Sequence, residues 1–344
     1  MKYNQLGSSD LSVSEICLGT MTFGEQNTES DAHAQMAMAA DYGVNFIDTA
    51  EMYPVAPRAE TQGRTESYIG SWLKEQQRDK WIVATKITGP SRGFEWIRGG
   101  PRITKAHIET AIEDSLARLQ TDYVDLYQIH WPDRYVPMFG STSYDINQAH
   151  ETTAIEEQLQ ALASLVDVGK VRYIGLSNET PWGVSEFNRC AKALGLPHIV
   201  SIQNAYHLMN RTFEAGLAEV CAHEKVGLLA YSPLAFGHLT GKYVDNPQAQ
   251  GRVTQFPQFT QRYSKTNVAE AVQAYTQIAR DAGLTPTQMA LAFVRSRWFT
   301  ASTIIGATTL EQLEENLKST DVMLTEEVLA QIEQVHQKYP NPAP

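Results

Sequence analysis

Cysteine is scarce in this chain. Cys17, Cys190 and Cys221 are the only three among 344 residues, and none has C-x-x-C spacing. A disulfide framework is therefore not encoded, and a reducing compartment is expected. Long apolar runs are also missing: no stretch approaches the ~20 residues of a membrane span, and the opening MKYNQLGSSDLSV lacks the apolar core of a signal peptide. The expectation is a soluble, cytoplasmic protein without a membrane partner. Positive charge is in deficit, with 28 Lys+Arg against 39 Asp+Glu and a net charge of -11, so the chain would repel a phosphate backbone and no nucleic-acid partner is expected. A glycine-rich phosphate loop is absent as well. The one candidate, Gly19-Thr-Met-Thr-Phe-Gly24, fits neither G-x-G-x-x-G nor the P-loop.

What is present is a long alternation of apolar strands and amphipathic helices. With 42% hydrophobic and 19% charged residues there is ample material for a large core. Residues 2–14 read as a small hairpin ahead of the first core strand, plugging one end of the fold. Strand one is Glu15–Gly19, and Thr28-Glu29-Ser30-Asp31 opens a helix that stops at Gly43. Further strands are predicted at FIDTA (46–50), 81–86, 124–130, 171–177, 199–203, 226–231 and 302–307. Helices are predicted near 64–78, 104–119, 181–195 and 213–224, together with one opened by a capping box at Thr153 and Glu156 and closed by Gly169. Two more lie between the last two strands, the second opened by Thr285-Pro286-Thr287-Gln288, and a helical region ends the chain. Eight strands each followed by a helix predict an α/β fold, a (β/α)8 TIM barrel with an N-terminal β-hairpin, forming one domain over 1–344. The alternative is an open doubly wound sheet, which would normally carry the glycine-rich turn missing here. Stretches 88–103, 131–151 and 237–265 read as long loops at the C-terminal face.

The strand ends share a chemistry. Successive strands finish on Asp48, Lys86, His130, Ser177-Asn178, Gln203 and Tyr231, and Tyr53 follows Asp48 by five residues. Barrel interiors are filled by branched apolar side chains, so a polar ring confined to one end marks a site. Each member alone has a structural reading: Asp48 as a cap of the next turn, Tyr53 as a loop aromatic, His130 as a packed core histidine. Together they suggest more. Buried near one another, Asp48 and Lys86 would pair, the ammonium would lower the phenol pKa of Tyr53, and Tyr53 could then deliver a proton to a developing alkoxide while a neutral His130 orients the carbonyl. None of these residues is a thiol or activated serine, so acyl transfer is poorly served, and one histidine with one aspartate is a thin metal site. Proton delivery to a carbonyl implies hydride from a cofactor.

These residues resemble the aldo-keto reductase family along essentially the whole chain. FIDTAEMY, Lys86, LYQIHW, VRYIGLSN, Gln203, LLAYSPLAFGHLTGKY and IIGATTLEQLEEN follow that family's order, most closely its bacterial Tas-like branch, related to the potassium-channel β-subunits. The resemblance implies an NADPH-dependent oxidoreductase acting on a small-molecule aldehyde or ketone, with a tetrad of Asp48, Tyr53, Lys86 and His130. It also implies cofactor contacts: the nicotinamide carboxamide on Ser177, Asn178 and Gln203, its ring on Tyr231, and the pyrophosphate along Ser232, Pro233, Leu234, Ala235 and Phe236 toward Lys242. At the adenosine end, where many members carry Lys and Arg, this chain offers Gly306, Thr308, Gln312, Glu315 and Asn316, with Lys242 and Arg252 supplying charge. Arg252 also reads as a solvated surface arginine. Trp131 is the expected substrate-pocket wall, and Phe94, Trp96, Tyr135 and Phe139 either rim that pocket or are surface aromatics of long loops. The rival readings are a cofactor-binding regulatory or redox-sensing protein with slow turnover, and a metal-dependent barrel hydrolase.

Overall fold

The computed structural model describes residues 1–91, 93–257 and 260–344; Arg92, Gln258 and Phe259, which fall in the predicted loops 88–103 and 237–265, lie outside the described residues. A two-stranded antiparallel hairpin, β1 (Tyr3–Gln5) and β2 (Ser12–Ser14), precedes eight parallel strands: β3 (Ile16–Gly19), β4 (Phe46–Asp48), β5 (Ile82–Ile87), β6 (Val124–Ile129), β7 (Val171–Ser177), β8 (Ile199–Ala205), β9 (Gly227–Tyr231) and β10 (Thr300–Ile305). They close in sequence order, with β10 paired to both β9 and β3, so the sheet has no edge.

Helices return each strand to the next. They are α1 (Glu29–Asp41), α2 (Arg64–Leu73), α3 (Lys105–Leu119), α4 (Ile155–Asp167), α5 (Pro181–Leu194), α6 (Leu217–Glu224), the short α7 (Lys242–Asp245) and α8 (Arg252–Gln255), then α9 (Val268–Asp281), α10 (Pro286–Arg295), α11 (Leu310–Lys318) and α12 (Glu326–Lys338). The caps explain several starts. Thr28 and Asp31 form a reciprocal box at α1, and Thr285 with Gln288 does the same at α10, where Pro286 occupies the first helical position. Two expectations fail. The Thr153–Glu156 box does not form: α4 begins after Ala154 without a side-chain cap, because the Thr153 N–H donates instead to Asp133 Oδ2 at 2.7 Å. The helix expected over 64–78 ends at Leu73 although Lys74, Glu75 and Gln76 are good helix formers. An edge-to-face contact of Trp72 with Trp81, ring centroids 4.8 Å apart, accompanies the tighter turn there.

The lumen changes character along its axis. At the floor, Leu6, Leu11 and Val13 of the hairpin segment pack with Phe46, Ala84, Leu126, Leu229 and Ile304. Side chains on a strand alternate, so residues two further along lie on the same face. From Phe46, Ala84, Leu126 and Leu229 that step leads to Asp48, Lys86, Gln128 and Tyr231, and the lumen turns from apolar to polar within one pleat.

Above this level the loops are riveted together in order. Glu51, just past β4, takes a two-pronged hydrogen bond from Arg98 in the loop after β5 and accepts the Thr88 N–H at 2.6 Å. Arg102 of that loop grips Asp133 after β6, whose carboxylate also accepts the N–H groups of Ile103 and Thr153. Arg134 in turn holds Glu179 after β7 through both guanidinium nitrogens, at 2.9 and 2.5 Å. Planar fork-to-fork pairs of this kind fix orientation as well as distance. Replacing Asp133 with Ala strips four donors of their acceptor at once, so urea unfolding is expected to lose about 1.5–3 kcal/mol, and protease cleavage should appear first within 137–152. Unchanged stability with an unchanged cleavage pattern would show that the rivet holds nothing.

Candidate active site

The polar level of the lumen is built around one ion pair. Lys86 Nζ donates to Asp48 Oδ2 at 2.6 Å and to the Thr49 carbonyl at 2.7 Å, and both side chains are buried. Asp48 Oδ1 accepts from Gln203 Nε2 at 2.8 Å and from Gln128 Nε2 at 3.3 Å. Four strands, β4, β5, β6 and β8, thus meet on one carboxylate. Burial pulls the Lys86 amine toward neutrality, but the Asp48 charge and Tyr53 more than offset it, and its pKa stands above the ordinary lysine value.

Tyr53 lies over this pair, with the Lys86 ammonium 5.1 Å from its ring centroid. The turn that carries it is bonded to the same lysine residue, since the Glu51 N–H donates to the Lys86 carbonyl. Here one expectation is corrected. Lys86 does pull the phenol down, but desolvation by burial is the larger effect, and Tyr53 ends above its ordinary value. His130 faces it edge-on, ring centroids 5.7 Å apart. Burial, reinforced by the Lys86 charge, pushes that imidazole well below its ordinary pKa and keeps it neutral, and its buried Nδ1 has no partner among the described residues.

A second shelf borders the first. The Ser177 hydroxyl donates to the Gln203 carbonyl at 2.8 Å; Asn178 Nδ2 donates to the His130 carbonyl at 2.9 Å; and the Tyr231 hydroxyl donates to Asn178 Oδ1 at 2.7 Å. The Gln203 amide nitrogen is committed to Asp48 and Gln128, which leaves its Oε1 as the available acceptor. Beyond Tyr231 the backbone is left-handed at Ser232, Ala235 and Phe236, and the Ala235 and Gly237 N–H groups donate to the Ser232 and Leu234 carbonyls within the turn. Lys242 reaches the Gln250 carbonyl and sits against Gly237, where a Cβ would stand 3.5 Å from its Nζ. Arg252 lies over the Phe236 ring, 5.2 Å from its centroid, and touches Met21 Sδ. Neither cation has a carboxylate partner among the described residues, and burial lowers the pKa of both. The solvated-surface reading of Arg252 is therefore not what the structure displays.

At the β10 end, Thr308 donates through backbone and hydroxyl to Gln312 Oε1, and Asn316 reaches the Gly306 carbonyl. Glu315 turns toward Thr285 at the start of α10. The aromatics divide. Trp131 is buried, its indole N–H donating to the Pro90 carbonyl, and it packs with Met52 and Ile97 and against Phe94. Gly89 makes this fit, since a Cβ there would lie 2.5 Å from the indole ring. Phe139 meets Trp131 edge-on, whereas Tyr135 turns outward to Tyr144 and Trp96 is exposed. Gln128 does not stand out in the sequence, though its place two residues before His130 puts it on the same strand face. No group of three or more potential metal-ligating side chains occurs among the described residues, and no helix is long and apolar enough to cross a membrane.

A buried acid–lysine pair under a tyrosine and a neutral histidine, closing a parallel barrel, narrows the comparison with known proteins. Residues 15–337 match the model of the aldo/keto reductase family. The chain belongs to that family. This aldo/keto reductase is similar to Protein tas of Escherichia coli (strain K12), identical at 52% of 347 aligned residues that span 100% of each chain. It is also similar to the Uncharacterized oxidoreductase YrpG of Bacillus subtilis (strain 168), at 32% over 99% of this chain and 97% of that protein. A Probable voltage-gated potassium channel subunit beta of Arabidopsis thaliana is 31% identical over 99% of this chain and 98% of its own length. Family membership supports an oxidoreductase.

The ion pair generates a stability expectation. Lys86→Met leaves Asp48 buried with its charge uncompensated, which typically costs about 3–5 kcal/mol. Adding Asp48→Asn removes that charge, so the double variant should unfold at a higher urea concentration than Lys86→Met alone. Additive losses would mean that the two groups are not energetically coupled.

Proposed function

We propose that this chain is an NADPH-dependent reductase that converts a small-molecule aldehyde or ketone to its alcohol, with Tyr53 as general acid. The observation that carries the reading is the stack of groups at one barrel end: a saturated Asp48–Lys86 pair, a phenol above it, and a neutral imidazole beside the phenol. A phenol whose pKa is raised stays protonated through the neutral range, so the proton is present when it is needed. Lys86 acts through Tyr53, its charge favouring the phenolate left after transfer, and Asp48 acts by holding Lys86 in place. His130, neutral and with ring nitrogen capacity to spare, donates to the carbonyl oxygen and aims it. Trp131 walls the substrate side.

The residues present fit an anionic dinucleotide. Two half-buried cations without carboxylate partners among the described residues, Lys242 and Arg252, border the turn at 232–237, and such a site favours phosphate oxygens. Ser177, Asn178 and the Gln203 Oε1 would hold a carboxamide, Tyr231 would support the ring, and Gly306, Thr308, Gln312, Glu315 and Asn316 would border the adenosine. A reduced nicotinamide bound there supplies hydride to the carbonyl carbon; the protein's task is to orient that carbon, exclude water and deliver the proton. On this reading the protein works as a single-domain cytoplasmic enzyme. A second reading, favoured by the likeness to the potassium-channel subunit, is a cofactor-binding sensor with slow turnover.

Tyr53→Phe separates the acid from its packing. NADPH affinity by fluorescence titration should survive, while steady-state aldehyde reduction should fall by ~10² to 10⁴. In the unmodified protein the same rate should stay level through neutral pH and decline only above about 10, because the raised phenol holds its proton until then. Wild-type turnover by Tyr53→Phe would refute the acid role. For the dinucleotide, NADPH should bind more tightly than NADH, by about 1.5–3 kcal/mol if one charge-assisted contact reaches the extra phosphate. Arg252→Gln should narrow that gap, and equal affinities in the unmodified protein would dismiss the assignment.

A further inference from the structure

A cleft of about 350 Å³ opens beside the second shelf, lined by Asn178 and Tyr231 on one side, by Met138 and Phe139 of the loop after β6, by Phe213, and by Arg262 of the loop after β9. Its wall is bonded directly to the tetrad: the Tyr231 hydroxyl donates to Asn178, and Asn178 donates to the His130 carbonyl. Phe139 continues that wall to Trp131, ring centroids 6.3 Å apart, and Trp131 lies 4.8 Å from His130. Tyr53, His130 and Trp131 are not among its lining residues; the cleft adjoins them across the Asn178 bond to the His130 carbonyl and the Phe139–Trp131 contact.

The cleft is lined by apolar side chains and by polar ones, among them Ser141, Thr142, Asn204 and Asn210, with Pro344 at its edge. Arg262 is the one cationic side chain among the described lining residues, and Glu179 the one acidic side chain. Glu179 is already held by both guanidinium nitrogens of Arg134. Arg262 has no carboxylate within ion-pair distance among the described residues. Its nearest company is aromatic: it lies 6.0 Å from the Tyr263 ring centroid and close enough to Tyr231 to draw that phenol's pKa down against burial, which holds it up. Its stem packs near Gly140 of the opposing loop, where a Cβ would stand 3.1 Å from the Arg262 Cβ. Arg262 thus has the Tyr231 and Tyr263 side chains for company but no carboxylate among the described residues, and its charge is left for an anion to meet.

We propose that Arg262 is a specificity-determining residue that selects carbonyl substrates bearing a carboxylate, the carboxylate pairing with its guanidinium while the body of the substrate lies against Phe139. This rests on the reductase reading of the same site. Guanidinium and carboxylate match as planar forks, and a site flanked by aromatic faces gives the pair more weight than open water would.

The test compares 4-carboxybenzaldehyde with its neutral isostere 4-formylbenzamide. In the unmodified protein kcat/KM should favour the carboxylate by about 10- to 100-fold, mainly through KM, as expected of one charge-assisted pair. The preference should shrink in high salt. In R262Q the ratio should fall toward one, and R262K, which keeps the charge without the fork, should lie between. A ratio near one in the unmodified protein, or one that R262Q leaves unaltered, overturns the proposal. Calorimetric titration with benzoate and benzamide reads the same cleft without turnover: benzoate must bind more tightly than benzamide, and R262Q must remove the difference. Should neither aldehyde be reduced, the reductase reading fails, while the benzoate titration still decides the role of Arg262.

Discussion

The arrangement depends on a lysine and an aspartate placed where water cannot reach them. Neither charge would be tolerated alone in the lumen, and together they remain costly unless every remaining donor and acceptor is met. The barrel meets them from four directions, with the Thr49 carbonyl on Lys86 and the Gln128 and Gln203 amides on Asp48. A well-packed apolar pair would serve stability as well or better. The floor of the same barrel, one pleat below, is filled that way. That the upper level is ionic is thus best explained by what it does to the phenol and imidazole above it.

Those two groups are reached only across loops, and the loops are not left loose. Glu51–Arg98, Asp133–Arg102 and Glu179–Arg134 join the segments after β4, β5, β6 and β7 into a continuous rim, each through a buried carboxylate. The carboxylates Glu51 and Asp133 also take backbone N–H groups, so they organise main chain as well as side chains. A general acid is useful only within hydrogen-bond reach of its substrate, and a rim fixed in this way holds Tyr53 and Trp131 relative to the strands beneath them. The segment after β9 is built differently: Phe236, His238, Tyr243 and Tyr263 stack on one another, and Lys242, Arg252 and Arg262 are left without carboxylate partners among the described residues. Rivets on one side and cations without carboxylate partners on the other give the mouth two unlike halves.

Much of this is legible in the sequence, for a physical reason. Strands buried on both faces read as apolar runs, so a polar residue at the end of such a run stands out, and Asp48, Lys86 and His130 do so. The same logic reaches Gln128, since period two ties it to His130, but an amide inside a strand carries less signal than an ionisable group. The rim pairs are not legible, because their partners lie 47, 31 and 45 residues apart and no local spacing links them. The Thr153 capping box fails for the same cause: Asp133, distant in sequence, captures the Thr153 N–H. The direction of the Tyr53 shift departs from the sequence-based expectation because a sequence can place a lysine near a phenol but cannot weigh that charge against burial.

The central claim is that this barrel end delivers a proton to a carbonyl as hydride arrives. The most direct measurement is a stopped-flow single turnover: protein preloaded with NADPH, or with NADPH deuterated at the transferring position, is mixed with a reactive aldehyde while nicotinamide fluorescence is followed. The account predicts rapid loss of fluorescence, slowed by the deuterium. Bound NADPH that persists unchanged over many minutes in the presence of saturating aldehyde would contradict it.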